Sequence, residues 1–289
     1  TKTSVNKFLM RKSLSDSGVD QPKFFKFNQL NLKEGFRFFE SLNSDAVIKP
    51  IHSGHSYGVR FLKKGISYGF FKKQFNDAVA DYRRNYDEWM NYENIDELDF
   101  LIEEFIKGKI FSIDGMVDGL MKVKFIGVTE FEMSELPVLH QLGHTSPAYS
   151  LSQKQILNGK LYIEKVIKIL VMKYCGFHGE LKFKGNVPYL IEISGRLPGA
   201  VVLKTYQDLS KFDLFVDYFN LFLGNKDRIK NEIFYKSETV KVVFSQKNIG
   251  VVKNCIEEEF LKKGNYIGEI RSRKNNEMVL NNSNPCGIW

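Results

Sequence analysis

The chain has few cysteines, no long apolar run and no dense cluster of positive charge. Its 289 residues contain three cysteines, Cys175, Cys255 and Cys286, an odd number spread far apart. This spacing indicates neither a disulfide framework nor a zinc site. No apolar run approaches the roughly 20 residues that span a bilayer, and no signal-peptide pattern opens the sequence. We therefore expect a cytoplasmic protein without a membrane partner.

The positive charge of the chain is scattered along the sequence. Lys and Arg number 42 against 34 Asp and Glu, which gives a net charge of +8. Basic pairs such as Lys63-Lys64 and Lys262-Lys263 form no stripe, and no nucleic-acid-binding module is found. An anionic small ligand explains the excess equally well. We predict no nucleic-acid partner, and a nucleic-acid-binding alternative rests on net charge alone.

Composition and periodicity predict an α+β protein of more than one lobe. Single cores stop growing near roughly 250 to 300 residues, and the 14% aromatic content indicates a well-filled interior. Helical spacing predicts helices at "NKFLMRKSLSDSG", at "NLKEGFRFFESLN" and from about Phe75 to Trp89. The longest helix is predicted from Leu151 to a stop at Gly176. "DFLIEEFIKG" is predicted as a strand ending at Gly108, and "LGHTSPA" as a loop.

Two glutamates lie on successive predicted strands, "GFHGELKF" and "YLIEISGRLPGA". The turn "KGNVP" joins the strands, so Glu180 and Glu192 can face each other across a hairpin. Facing carboxylates repel unless a cation lies between them, and Mg²⁺ is usually held by carboxylates together with phosphate oxygens. Arg196, four residues beyond Glu192, can hold a phosphoryl group or an oxyanion. Two solvated glutamates on an outer strand face remain the alternative.

A glycine-containing loop and a lysine suggest a phosphate site. The loop "HSGHSYGV" carries Ser53, Gly54, Ser56 and Gly58, and such a loop can fold its backbone N–H groups around a phosphate. It lacks the P-loop pattern, so a plain hairpin turn is the alternative. Lys49 precedes this loop on an apolar strand, where a buried ammonium requires an anionic partner.

The order of these segments resembles a known family. "NKFLMRKSL", "AVIKP", "HSGHSYGVRFL", "LIEEFIKG", "FSIDGMVDG", "GFHGELKF" and "YLIEISGRLPGA" are similar to segments of the ATP-grasp carboxylate–amine ligases, in the branch of L-amino-acid ligases and carbamoyl-phosphate-synthase-like proteins. The resemblance spans about residues 5–225. It implies an ATP-grasp fold with two α+β lobes enclosing ATP. The expected parts are a leading helix (1–22), a small lobe (23–105), a large lobe (106–230) and a small C-terminal α/β subdomain (231–289).

The resemblance also implies roles for individual residues around ATP and Mg²⁺, with two ions expected. The phosphates would be bound by Lys7, Lys49 and the loop of Ser53, Gly54, Ser56 and Gly58. The adenine would lie against Glu103, Glu104, Phe105 and Ile106. The metal would be held by Glu180, Glu192 and Ser194. Arg196 would steady the acyl phosphate and His144 would bind substrate, with an interior or loop histidine as the alternative for His144.

The implied reaction joins a carboxylate to an amine, both expected to be amino acids, and releases ADP and phosphate through an acyl phosphate. Ile110 and Ser194 depart from the family, which commonly has a glutamate and an asparagine at these positions. The family's amino-terminal domain of about a hundred residues is also not found in the sequence. Either the chain is a fragment or a separate chain supplies that lobe, and a homodimer is also compatible. A nucleotide-binding regulatory protein without ligase activity is the alternative function.

Overall fold

A computed structural model describes residues 2–53, 56–86, 98–136, 141–210 and 213–224, with short strand segments beyond residue 239. The helices within these residues are α1 (Lys2–Val5), α2 (Lys7–Asp16), α3 (Leu32–Leu42), α4 (Tyr68–Tyr86), α5 (Gln153–Ile169), α6 (Ala200–Ser210) and α7 (Leu214–Phe222). The longer strands are β1 (Phe24–Phe27), β2 (Ala46–Pro50), β3 (Arg60–Leu62), β4 (Phe100–Glu104), β5 (Ile110–Val117), β6 (Val123–Met133), β7 (Gln141–Ser146), β8 (Cys175–Lys184), β9 (Val187–Ser194) and β10 (Val240–Ser245). Two-residue strands follow: β11 (Gly250–Val251), β12 (Arg271–Ser272), β13 (Met278–Val279) and β14 (Gly287–Ile288).

The small lobe is a four-stranded antiparallel sheet in the order β1-β4-β2-β3, packed against α3 and α4. Phenylalanine rings fill the space between sheet and helices, and Phe27 lies 5.4 Å from Phe75 and 5.9 Å from Phe71. Gly35 lets α3 approach closely, because a Cβ there would lie 2.8 Å from the Phe27 ring. The close packing fixes the sheet whose strands carry Lys49 and Glu103.

The large lobe is an eight-stranded antiparallel sheet in the order β12-β14-β10-β7-β6-β5-β8-β9. One of its cores joins the sheet to α2 and α5, and another joins it to α6 and α7. Three described strands beyond residue 239 extend this sheet, whereas β11 and β13 pair with each other. Most of the predicted subdomain 231–289 lies outside the described residues. No described helix is long and apolar enough to cross a bilayer.

Three predicted element boundaries differ in the structure. Helix α5 ends at Ile169, not at Gly176, because Val171 adopts a left-handed conformation (φ 50°) and the chain then enters β8. Helix α4 begins at Tyr68, before the predicted Phe75, and residues 87–89 lie outside the described part. Strand β4 ends at Glu104 and not at Gly108, although the Phe105 amide still donates to the Asp45 carbonyl, 2.9 Å away. The residues from Phe105 to Lys109 connect the small lobe to β5 of the large lobe.

Candidate active site

A cleft of about 230 Å³ lies between the two sheets and is lined from both lobes and from α2. Ten of the residues predicted from the sequence line it together: Lys7, Lys49, Ser53, Ser56, Glu103, Glu104, Phe105, Ile106, Glu180 and Glu192. Gly54 lies outside the described residues. The cleft therefore has a charged end, containing the lysines and the glutamates of the hairpin, and an apolar end near Phe105.

Lys7 connects the loop to the hairpin at the charged end. Asn6 caps α2 by accepting a hydrogen bond from the Leu9 amide, which places Lys7 on the first turn of the helix. The buried Lys7 ammonium donates to the Ser53 carbonyl at 2.6 Å and lies 3.7 Å from a Glu192 carboxylate oxygen. This arrangement fixes an ammonium group between the loop and the carboxylate of β9.

Glu103 is the centre of a buried ionic cluster. The sequence predicted Glu103 and Lys49 as site residues but not Arg11. The Arg11 guanidinium donates to both Glu103 oxygens, at 2.8 and 3.1 Å. Arg11 also donates to the carbonyls of Leu190 and Ile191 on β9, at 2.8 and 3.1 Å. The Lys49 ammonium lies 2.8 Å from the second Glu103 oxygen. Arg11 thus ties the leading helix to both lobes beneath the cleft.

The electrostatics of this cluster follow from its burial and from its excess of cations. Burial alone would raise the pKa of Glu103, but the charges of Arg11 and Lys49 outweigh it and lower that pKa to about 2. Burial, opposed by Glu103, lowers the pKa of Lys49 below its usual range. Two cations face one carboxylate, so a protonated Lys49 leaves a net positive charge beside the cleft. The predicted anionic partner of Lys49 is therefore Glu103 in this structure, and a phosphate would be an additional one.

Glu180 and Glu192 are direct partners in the ladder between β8 and β9, as the hairpin predicts. The register shifts immediately after this pair, between Glu180 and Leu181. About a third of each carboxylate side chain is exposed, 33% for Glu180 and 37% for Glu192. Direct partners point to the same face of a sheet, so the two carboxylates open side by side into the cleft.

A buried polar chain extends from Glu180 into the large lobe. The His178 ring lies 3.4 Å from a Glu180 oxygen through Nε2 and 2.5 Å from an Asp114 oxygen through Nδ1. Asp114 accepts hydrogen bonds from the hydroxyls of Ser112 and Tyr206, at 2.7 and 2.6 Å. Burial lowers the pKa of His178, but Asp114 and Glu180 outweigh it and raise that pKa to about 10. The signal in the sequence is "HGE", because residues two apart share a strand face.

Glu180 and Glu192 can hold a divalent cation only if atoms outside the protein supply the remaining ligands. Within the described residues, no group of three or more His, Cys, Asp or Glu side chains could hold a metal ion. A pair of carboxylates with phosphate oxygens is a usual arrangement for Mg²⁺. The residues present therefore fit an ion that arrives with a polyphosphate, held by Glu180 and Glu192.

Four other predicted site residues do not line the cleft: Arg196, Ser194, Gly58 and His144. Arg196 is exposed and donates to the Leu197 carbonyl at 2.9 Å. Burial raises the pKa of Glu180, but His178, with Lys49 and Arg196, outweighs it and lowers that pKa. Ser194 ends β9 and is the ladder partner of His178. Gly58 has a positive φ of 71°, and its amide donates to an Asp81 carboxylate at 3.0 Å. The Gly58 amide is thus engaged within the small lobe.

His144 lies within the large sheet, on β7, and not in a loop. The residues from Gly143 to Thr145 pair with both β6 and β10, and the ladder sets His144 opposite Phe131 and Val242. The ring is fully buried and lies 3.2 Å from the Thr205 hydroxyl through Nε2. Burial lowers the pKa of His144 to about 4. This position agrees with the alternative of an interior histidine.

Comparison with known proteins places the chain in a family. A sequence model of the ATP-grasp domain matches residues 42–204, more than half of the chain. L-amino acid ligase from Bacillus licheniformis superposes with a TM-score of 0.78 at 18% identity, covering 99% of this chain and 67% of that chain. For phosphoribosylglycinamide synthetase from Anaerococcus prevotii the TM-score is 0.60 at 17% identity, covering 99% and 68%.

A third solved structure is the biotin carboxylase domain of 2-oxoglutarate carboxylase from Hydrogenobacter thermophilus, determined with MgADP and bicarbonate. It superposes with a TM-score of 0.73 at 12% identity and covers 99% of this chain and 61% of that chain. No curated protein matches the sequence significantly. The structural likenesses establish a shared fold, and the sequence match shows that this chain belongs to the ATP-grasp family.

Proposed function

We propose that the protein is an ATP-dependent carboxylate–amine ligase that forms an amide or peptide bond and releases ADP and phosphate. One observation supports this most: the carboxylates of Glu180 and Glu192 open beside the ammonium of Lys7 in one cleft. Carboxylates for a metal and cations for phosphate are the parts that phosphoryl transfer requires. Amino acids are the proposed substrates, and the likeness to the L-amino acid ligase supports them.

The residues of the charged end have separate roles in the proposed reaction. Lys7 and Lys49 bind the terminal phosphates and neutralise their charge. Mg²⁺ held by Glu180 and Glu192 would supply further neutralisation of the phosphate oxygens. The substrate carboxylate oxygen bonds to the γ-phosphorus as the bond to the ADP oxygen breaks. The amine nitrogen then bonds to the acyl carbon and phosphate leaves. For Arg196, which does not line the cleft in this structure, the proposed role is to reach and steady the oxyanion between these steps.

Positioning accounts for most of the rate in this scheme, because the protein forms no covalent bond to substrate. Arg11 contributes by holding Glu103 and the carbonyls of Leu190 and Ile191, so that β4 and β9 keep a fixed separation. His178 contributes by orienting Glu180, supported from below by Asp114. Both are positioning residues, since neither reaches the reacting atoms directly in this scheme.

A nucleotide-binding regulatory protein is the second candidate function. Ile110 favours it, because this residue lines the cleft where the family commonly has a carboxylate for the ribose. A screen of ATP consumption by the full-length protein, over pairs of carboxylates and amines, separates the two. A ligase consumes ATP only with both substrates present, and mass spectrometry finds the amide. Nucleotide binding without any amide, over the twenty amino acids and simple amines, would favour the regulatory protein.

A further inference from the structure

Lys182 lies at the apolar end of the cleft and has no role in the chemistry described above. It follows Glu180 by two positions on β8 and therefore shares its strand face. The side chain is buried, with 5% of the residue exposed. Its ammonium donates to the Ile106 carbonyl at 2.9 Å and lies 4.3 Å from the centre of the Phe105 ring. Lys182 is thus fixed against the segment that connects the lobes.

The Lys182 ammonium differs from the other two buried lysines of the cleft because no carboxylate compensates it. Lys7 lies near Glu192, and Lys49 lies against Glu103. For Lys182 the described residues provide one hydrogen-bond acceptor, the Ile106 carbonyl, although an ammonium has three donors. Burial lowers its pKa to about 8. A buried ammonium is costly without further partners, so a ligand is the expected source of the missing acceptor.

The surroundings of Lys182 indicate what kind of ligand carries that acceptor. The cleft that Lys182 lines also has apolar side chains from both lobes: Val47, Phe105, Ile110, Phe131 and Met133. Such a lining suits a flat aromatic group and does not suit a phosphate or a carboxylate. A flat heteroaromatic base has ring nitrogens at its edge that accept hydrogen bonds.

We propose that Lys182 recognises the base of the bound nucleotide by donating a hydrogen bond to a ring nitrogen of the purine. The inference rests on the proposed function, since it requires a nucleotide in this cleft. The Phe105 ring and the Ile106 carbonyl hold the ammonium in place, and the purine edge supplies the acceptor that the protein lacks. Lys182 then determines specificity at the base, while Lys7 and Lys49 bind the phosphates.

The test is calorimetric titration of the full-length protein with ADP and with 1-deaza-, 3-deaza- and 7-deaza-ADP. Each analogue lacks one ring nitrogen, so the set distinguishes which one Lys182 contacts. Lys182→Met should weaken ADP binding by about tenfold or more, as expected for a charged hydrogen bond. Wild type should bind one analogue about tenfold more weakly than ADP, and Lys182→Met should bind that analogue and ADP equally.

Two controls separate recognition from folding. Lys160→Met removes a lysine that lies 4.8 Å from the Phe125 ring but outside the cleft lining, and it should leave all affinities unchanged. The unfolding midpoint of Lys182→Met should equal or exceed that of wild type, because a buried uncompensated charge is removed. If Lys182→Met does not fold, Lys182→Leu, which also removes the donor, replaces it in the titration.

The possible outcomes are distinct. The role of Lys182 is overturned, and the proposed function is not, if Lys182→Met binds ADP as wild type does. The same holds if Lys182→Met still discriminates among the analogues as wild type does. Weaker ADP binding without any discrimination by wild type also overturns it, because the contact is then not to a ring nitrogen. Failure of wild type to bind ADP overturns both this inference and the proposed function.

Discussion

At the scale of single residues, Glu103 gives the protein a measurable pH dependence. Its pKa falls from an ordinary 4.5 to about 2 on folding, so the unfolded chain binds its proton first as the pH falls. The lowered pKa of Glu103 stabilises the folded protein by about 3 kcal/mol. This stabilisation is complete above pH 4.5 and is lost progressively as the pH falls toward 2. Urea unfolding should show the stability gap between wild type and Glu103→Gln narrowing by about 2 kcal/mol from pH 6 to pH 3.

The matched control for this pH dependence is Glu104→Gln. The Glu104 carboxylate pairs with Lys184, whose side chain is 46% exposed, and its loss should change stability by less than about 1 kcal/mol. A stability gap between wild type and Glu103→Gln that stays constant from pH 6 to pH 3 would show that Arg11 and Lys49 do not hold this carboxylate ionised.

The facing glutamates of the hairpin should be required for activity and not for the fold. Glu180→Gln and Glu192→Gln should each lower activity by at least about tenfold, or roughly 1.4 kcal/mol of transition-state stabilisation. Their unfolding midpoints should stay near the wild-type value, because relief of the repulsion between the pair offsets the weakened contact with Lys7 or His178. Steady-state ATP turnover checks this, with the exposed Glu40→Gln on α3 as the control. Full turnover by either hairpin mutant contradicts the metal assignment.

Part of the site could be predicted from the sequence because its signals are local. Strand alternation and a short turn were enough to place Glu180 opposite Glu192. Arg11 and Lys182 were missed because their partners are 92 and 76 residues away, and a lone basic residue is ordinary on a surface. The partners of His178 depend on the pairing of β5 with β8, which no short motif specifies.

At the scale of elements, the loop between β2 and β3 depends on Gly58. An added Cβ at Gly58 would lie 2.8 Å from the Pro50 ring and 3.1 Å from the Ala78 carbonyl, at a φ of 71°. Gly58→Ala should therefore displace the loop that carries Ser53 and Ser56 and weaken ADP binding severalfold in a calorimetric titration. It should also destabilise the protein by about 1 to 3 kcal/mol.

Gly65 provides the matched control for this loop. Its φ of 86° is equally unfavourable for alanine, but nothing lies within 4 Å of the added Cβ. Gly65→Ala should cost stability through backbone strain alone and leave ADP affinity unchanged. Equal effects of the two substitutions on ADP affinity would contradict a specific role of the loop in binding.

The element predictions failed where the sequence pattern is ambiguous over a few residues. Helix α5 was predicted past its end because "VMKYCG" continues the apolar spacing, whereas Val171 turns the chain there. The segment "LGHTSPA" is predicted as a loop, whereas pairing with two neighbouring strands makes its residues up to Ser146 part of β7. Pairing with other strands, and not local propensity, determines that this segment is a strand.

At the scale of the whole molecule, the order of the segments predicted the fold better than any one of them. The lobes meet where α2, β4 and β9 are joined through Arg11, so the cleft is rigid at its base. Under the proposed function, residues from both lobes and from the leading helix would surround one polyanion. The same arrangement would determine which phosphorus atom is attacked, because the proposed function puts these cations and carboxylates at the terminal phosphates.

The nucleotide product of turnover tests this account most directly. Hydroxylamine serves as the amine, because it traps an activated acyl group as a hydroxamate, and chromatography separates the nucleotides. Attack on the γ-phosphorus predicts ADP and phosphate in equal amounts with the hydroxamate. Stoichiometric AMP and pyrophosphate would contradict the account, because the α-phosphorus would then be the one attacked.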